Sequence, residues 1–101
     1  IVDANGLQAM GKIADIIDME PFTAKFESFG FDAVACDGHD MARLNTVLRP
    51  TPGKPHAVIA RTIKGYGVSF MEDKLEWHYL RLNPQLLENA LAELEQSEKR
   101  S

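Results

Sequence analysis

The sequence predicts an α/β domain built on a largely parallel sheet flanked by helices, and three observations carry that reading. Strand-length apolar runs alternate with segments whose apolar residues recur at three and four positions, in the order strand, helix, strand, helix, strand, loop, helix. One run, Val58-Ile59-Ala60, is apolar without interruption, as in strands covered on both faces. Gly- or Pro-bearing turns mark most changes of pattern.

The chain opens on "VDANGLQ", which reads as the end of a buried strand, Ile1 and Val2, running into a turn. The mixed stretch "LQAMGKIADIIDMEPF" follows, and its Pro21 suits a first helical position. Residues 21–28 then place Phe22 and Phe26, with Phe29 just beyond, at helical spacing before Gly30, a helix stop. "FDAVACD" reads as a strand ending at Asp37-Gly38. In "HDMARLNTVLRP", Met41, Leu44, Val47 and Leu48 give a second helix that Pro50 ends. After "PTPGKP" comes the strand "HAVIARTIK", then the loop "GYG". The last helix has Asn83 as N-cap, Pro84 at the first position, and Leu86, Leu87, Ala90, Leu91 and Leu94 along one stripe.

At 101 residues the chain has the length of one domain, near the size that buries about two-thirds of its surface on folding. Its net charge of -4 comes from 11 basic and 15 acidic residues, and no basic cluster points to nucleic acid. No apolar run approaches the ~20 residues of a membrane span, and there is no basic-then-apolar leader. The single cysteine, Cys36, excludes an internal disulfide and suits a buried thiol in a reducing, cytoplasmic setting. The missing initiating Met and the short first strand suggest a piece of a longer protein.

Parallel α/β sheets bind their ligands at the carboxyl ends of the strands, so three turns matter. In "DANGLQ", the Asn5 side-chain oxygen and backbone carbonyls are hard ligands suited to magnesium or calcium, and Gly6 lets the backbone fold back. From spacing alone, a turn in which Asp3 and Asn5 cap their own backbone is favoured. In "DGHD", a metal site competes with a turn followed by an N-capped helix, and the Asp40 cap is the better reading. His39 is then left to face a cleft or a subunit boundary. In "TIKGYGVSFMEDKLEWHYL", Gly65 and Gly67 could admit a phosphate close to the backbone with Lys64 as counter-charge. His78, beside Trp77, could exchange a proton near a cleft, although a His next to an aromatic is more often structural.

Taken together and in order, "VDANGLQ", "SFGFDAVACDGHD" and "RTIKGYGVSFMEDKLEWH" resemble the transketolase family, thiamine-diphosphate enzymes that move two-carbon ketol units between sugar phosphates. The resemblance covers residues 1–80 and implies that residues 1–101 are the C-terminal portion of the pyrophosphate-binding domain, of the split, two-subunit type. It implies that Asn5 closes a metal motif opened by an upstream Gly-Asp-Gly, and that Leu7 adds a backbone carbonyl to the same Mg2+ or Ca2+. It further implies that His78 faces the cofactor diphosphate and the donor sugar as a catalytic residue, and that Lys64 and Gly65 belong to the loop leading to it. The implied partners are a pyrimidine-binding C-terminal subunit or domain, which carries the activating glutamate, and sugar phosphate substrates, in a homodimer or heterotetramer. With the Gly-Asp-Gly carboxylate and that glutamate elsewhere, residues 1–101 alone are expected to be inactive. The family commonly has Gly after the His, where Tyr79 stands here, which bears on the substrate more than on the cofactor. The alternatives are another thiamine-diphosphate enzyme, of synthase or dehydrogenase type, and a non-catalytic α/β assembly module.

Overall fold

A computed structural model describes residues 1–100. Three strands form the main sheet: β1 (Val2–Ala4), β4 (Asp32–Asp37) and β5 (His56–Arg61). The order is β1-β5-β4 and both pairings are parallel, with Val2 opposite Ile59 and Val34 opposite Val58. A two-stranded antiparallel ribbon, β2 (Leu7–Gln8) and β3 (Gly11–Lys12), follows β1 and leads into the one-turn helix α1 (Ile13–Ile16). The remaining elements are α2 (Phe22–Ser28), α3 (Met41–Val47), a 3-10 turn (Leu75–His78) and α4 (Pro84–Arg100).

β5 is the middle strand, which is why its sequence is apolar without alternation. Ile59 is 0% and Val58 1% exposed, and full burial of such a side chain stabilises by roughly 1.5–3 kcal/mol. The two faces of β5 serve different helices. Val58 clusters with Cys36 of β4 and Val47 of α3, with Val34 and Leu44 packed around them. Arg61, whose position in the strand puts it on the face of Ala57 and Ile59, lies over the Phe22 ring of α2 at 5.8 Å. Helices α2 and α3 therefore cover opposite faces, as right-handed crossovers require when the chain steps first past β5 to β4 and then back.

Several local expectations need correction. The first strand is Val2–Ala4, with Ile1 outside it. Pro21 is the N-cap of α2 and not its first residue. Phe29 lies beyond the last turn of α2 and is 84% exposed, so only Phe22 and Phe26 face inward, the latter meeting the Phe31 ring edge-on at 5.1 Å. The ribbon, α1 and the 3-10 turn are too short to register as periodicity. The apolar stripe of α4 is only partly covered. Ala90 is buried while Leu87 and Leu91 are 47% and 51% exposed, because α4 docks on the loop after β5 and not on the sheet.

Candidate functional site

All three strands of the sheet run in one direction, so the turns after Ala4, Asp37 and Arg61 gather at one end. Their positions follow from local hydrogen bonding. After β1, Gly6 takes φ +76°, and the Asn5 Oδ1 accepts from the Leu7 N–H at 2.9 Å. This is the self-capping turn favoured from spacing, and it leaves the amide oxygen a second lone pair. Asp3 does not cap the turn. It accepts from the Thr62 hydroxyl and so ties β1 to the exit of β5.

After β4, the Asp37 carboxylate accepts from His39 N–H at 2.8 Å and Asp40 accepts from Arg43 N–H at 2.9 Å. Both acids of "DGHD" are thus turn and cap residues, as expected over the metal reading.

After β5 the chain makes a long excursion, residues 62–74, that folds on itself. Lys64 O accepts from Asp73 N–H at 2.9 Å, and Gly65 lies so close to Met71 that a Cβ there would stand 2.8 Å from the Met71 carbonyl oxygen. Only glycine fits that approach. The Ser69 N–H and hydroxyl both donate to Glu93 of α4, at 2.7 and 2.9 Å, and Trp77 Nε1 donates to Phe70 O at 2.8 Å. With Trp77 half-buried and pinned in this way, the 3-10 turn returns towards the ribbon after β1 and leaves His78 exposed.

The result is a cleft of about 180 Å³ lined by Asn5, Leu7, Gln8, Ala9, Lys64, Leu75 and His78. The four residues singled out from the sequence, Asn5, Leu7, Lys64 and His78, come from segments far apart in the chain and meet on this one surface. Among the described residues, neither the Lys64 ammonium nor the His78 ring has a hydrogen-bond or ion-pair partner. The cleft therefore presents a cation, an imidazole and a neutral amide oxygen, a set suited to an anionic ligand bearing phosphate oxygens. Gln8 stands in the opening motif but was given no role, and Ala9 and Leu75, which carry no chemical signal of their own, escaped the sequence reading; the ribbon and 3-10 turn that place all three lack a periodic pattern.

The residues fit a divalent cation in part. Among the described residues no group of three or more His, Cys, Asp or Glu side chains could hold a metal ion. What Asn5 and the Leu7 carbonyl can add is neutral oxygen, which leaves the ion's charge to be met by phosphate and by a carboxylate from elsewhere.

Comparison with known proteins bears on the family and the fold. No family model matches the chain. It is 41% identical over 96 residues to one of the subunits of the apulose-4-phosphate transketolase of Actinobacillus succinogenes, a match covering 93% of this chain and 35% of that protein. It is 34% identical over 96 residues to the 6-deoxy-6-sulfo-D-fructose transketolase subunit SqwG of Clostridium sp. strain MSTE9, covering 92% and 35%. Human transketolase matches at 33% over 76 residues, 75% of this chain and 12% of the enzyme. The fold superposes on the crystal structure of transketolase from Campylobacter jejuni with a TM-score of 0.83 over 92% of this chain and 15% of that one, at 24% identity. The chain thus spans about a third of the length of the subunit relatives. Over the residues these matches span, the chain belongs to the transketolase family.

Proposed function

We propose that residues 1–101 are the C-terminal portion of a pyrophosphate-binding domain, and that its cleft receives the diphosphate of magnesium thiamine diphosphate in an enzyme transferring two-carbon ketol units between sugar phosphates. The observation that carries this reading is the convergence of Asn5, Leu7, Lys64 and His78 on one cleft, with Lys64 and His78 free of partners among the described residues.

Each residue has a role that follows from its chemistry. Asn5 Oδ1, with one lone pair held by Leu7 N–H, offers the other to the metal ion, and the Leu7 carbonyl joins it. Lys64 places a positive charge against phosphate oxygens in a partly enclosed cleft, where such a contact is stronger than in open water. His78, exposed at the cleft wall, would face the diphosphate and the sugar and can hold or pass a proton at a ring nitrogen. The bound cofactor would supply the carbon nucleophile that this chain's side chains lack. Gln8 and Leu75 line the same cleft.

The relatives named as subunits support a split enzyme; in this reading a second, pyrimidine-binding subunit completes the site and supplies the activating glutamate. The free, buried thiol of Cys36 suits a reducing, cytoplasmic setting. No helix among the described residues is long and apolar enough to cross a membrane.

Calorimetric titration of the assembled enzyme with thiamine diphosphate and Mg2+ tests the assignment. Asn5→Ala weakens magnesium-dependent binding if Asn5 is a metal ligand, and an unchanged affinity refutes it. Asn5→Asp keeps an oxygen but adds a charge near the phosphates, so its effect separates the loss of a ligand from a change in charge balance.

A further inference from the structure

A residue that ties the chain on both sides of Lys64 to the sheet lies outside the cleft. His39 Nε2 accepts the Ile63 N–H at 2.9 Å, and its ring stacks on Tyr66 with centroids 3.9 Å apart and planes 19° from parallel. One contact falls immediately before Lys64 and the other two residues after it, so His39 brackets the lysine. Accepting at Nε2 requires that nitrogen to be unprotonated, which puts the proton of a neutral ring on Nδ1.

The platform beneath His39 is rigid. Its own N–H donates to Asp37, and the next residue, Asp40, caps α3. Gly38 N–H donates to Arg61 O at 2.7 Å, and Gly38 packs so tightly that a Cβ would stand 2.4 Å from Thr62 Cγ2 and 3.0 Å from Arg61 O. The turn after β4 is thus pressed onto the exit of β5, with His39 reaching over it to the loop. The bond from Asp73 N–H to Lys64 O holds the loop to itself, whereas the His39 contacts hold it to the sheet. A lysine with no hydrogen-bond or ion-pair partner among the described residues has no polar contact to hold its ammonium, so what fixes its backbone helps to set where the charge stands.

We propose that His39 is a positioning residue: as a hydrogen-bond acceptor for Ile63 and a stacking partner for Tyr66, it latches the loop to the β4–α3 junction and sets Lys64 against the diphosphate. This rests on the functional reading above, and the His39 contacts themselves do not.

Three substitutions in the assembled enzyme separate the effects. His39→Phe keeps a ring for Tyr66 and removes the acceptor, His39→Gln restores an acceptor near the Nε2 position without the ring, and Lys64→Met removes the charge being positioned. Thiamine diphosphate affinity in Mg2+ is measured by calorimetry and Ile63 amide protection by hydrogen exchange. Losing a group that orients a metal ligand typically costs about 10- to 100-fold, and at the lower end of that scale His39→Phe is expected to weaken binding about tenfold and to raise Ile63 exchange. His39→Gln recovers most of both. Because His39 acts through Lys64, His39→Phe adds little further loss in the Lys64→Met background. Full affinity in His39→Phe, an equal loss with and without Lys64, or no recovery in His39→Gln overturns the proposal. Should the wild-type enzyme itself bind no thiamine diphosphate, the functional reading has failed. The latch is then judged by exchange alone, and Ile63 protection that is unchanged in His39→Phe refutes it.

Discussion

His56 and His78 stand at opposite ends of the same fold, and their surroundings differ in kind. His56 opens β5 at the amino end of the sheet, where its Nε2 lies 2.6 Å from the carbonyl oxygen of Val47 at the end of α3. Its Nδ1 lies 3.3 Å from Asp32 Oδ2 without the alignment of a hydrogen bond, and Asp32 accepts from the Thr51 hydroxyl. His78 lines the cleft at the carboxyl end, and neither it nor Lys64 has such a partner among the described residues. The amino end uses its polar groups to join β4, β5 and α3. The carboxyl end has structural contacts of its own, Asp3 with Thr62 and His39 with Ile63 among them, but it leaves the Lys64 ammonium and the His78 ring free for a ligand. Two histidines of one chain thus divide into a structural clasp and a candidate site.

The comparison breaks most visibly at His78. General acid–base groups contribute roughly 10²- to 10⁴-fold to turnover, so His78→Ala in the assembled enzyme should reduce kcat on that scale. Its melting temperature should not change, since no intramolecular bond is lost. A lower melting temperature with intact turnover would move His78 into the class of His56.

Lys64→Met comes next. A hydrogen bond to a charged group is worth about 1.5–3 kcal/mol, so thiamine diphosphate affinity should fall by roughly 10- to 150-fold at 1.4 kcal/mol per tenfold. The dependence of affinity on salt should become shallower as well, because one screened charge pair is gone. Unchanged affinity in a calorimetric titration would show that the lysine lines the cleft without meeting the ligand.

His56→Ala should give the converse result. Removing the ring leaves the Val47 carbonyl without its partner, and an orphaned polar group that is partly buried costs about 1–3 kcal/mol. The urea midpoint should fall while cofactor affinity and turnover hold. A variant that loses activity without losing stability would overturn the division between the two ends.

How much of this was legible in the sequence depends on the range of the signal. The middle strand could be read from Val58 and Ile59, because burial on both faces leaves an uninterrupted apolar run. The caps at Asp40 and Asn83 were legible because each bonds a backbone N–H three residues on. Of the candidate site, Asn5, Leu7, Lys64 and His78 were named through the resemblance that three motifs carry, which implied one diphosphate site, but the local patterns alone do not say how these segments close into a cleft. That depends on the loop folding back at Gly65 and on Trp77 finding Phe70 O, contacts fixed by tertiary packing. The helix of α4 was legible from its cap and stripe, but periodicity marks an apolar face without saying what covers it.

The smallest expected effect concerns acid, and it sharpens the contrast because the carboxylates involved belong to the structural contacts. The Asp32 carboxyl is held below its usual value of 3.8 by the Thr51 hydroxyl first and by His56 after it. Glu20 is held below 4.5 chiefly by Arg61, whose Nη2 donates to it at 3.0 Å. A carboxyl whose folded pKa lies below its unfolded value binds fewer protons when folded. Its contribution is therefore complete above the unfolded value and is lost as pH falls through the folded one. The window lies below about pH 4.5 for Glu20 and about pH 3.8 for Asp32. Both groups face solvent, so the effect is modest and salt reduces it. Asp32→Asn and Glu20→Gln should each lose less stability than wild type between pH 6 and the acid limb, with urea midpoints as the measure, whereas Lys64→Met should lose as much as wild type. An Asp32→Asn variant with the full acid slope would mean that the Thr51 and His56 contacts do not favour the ionised carboxylate in solution, and the amino-end clasp would then rest on the His56–Val47 bond alone.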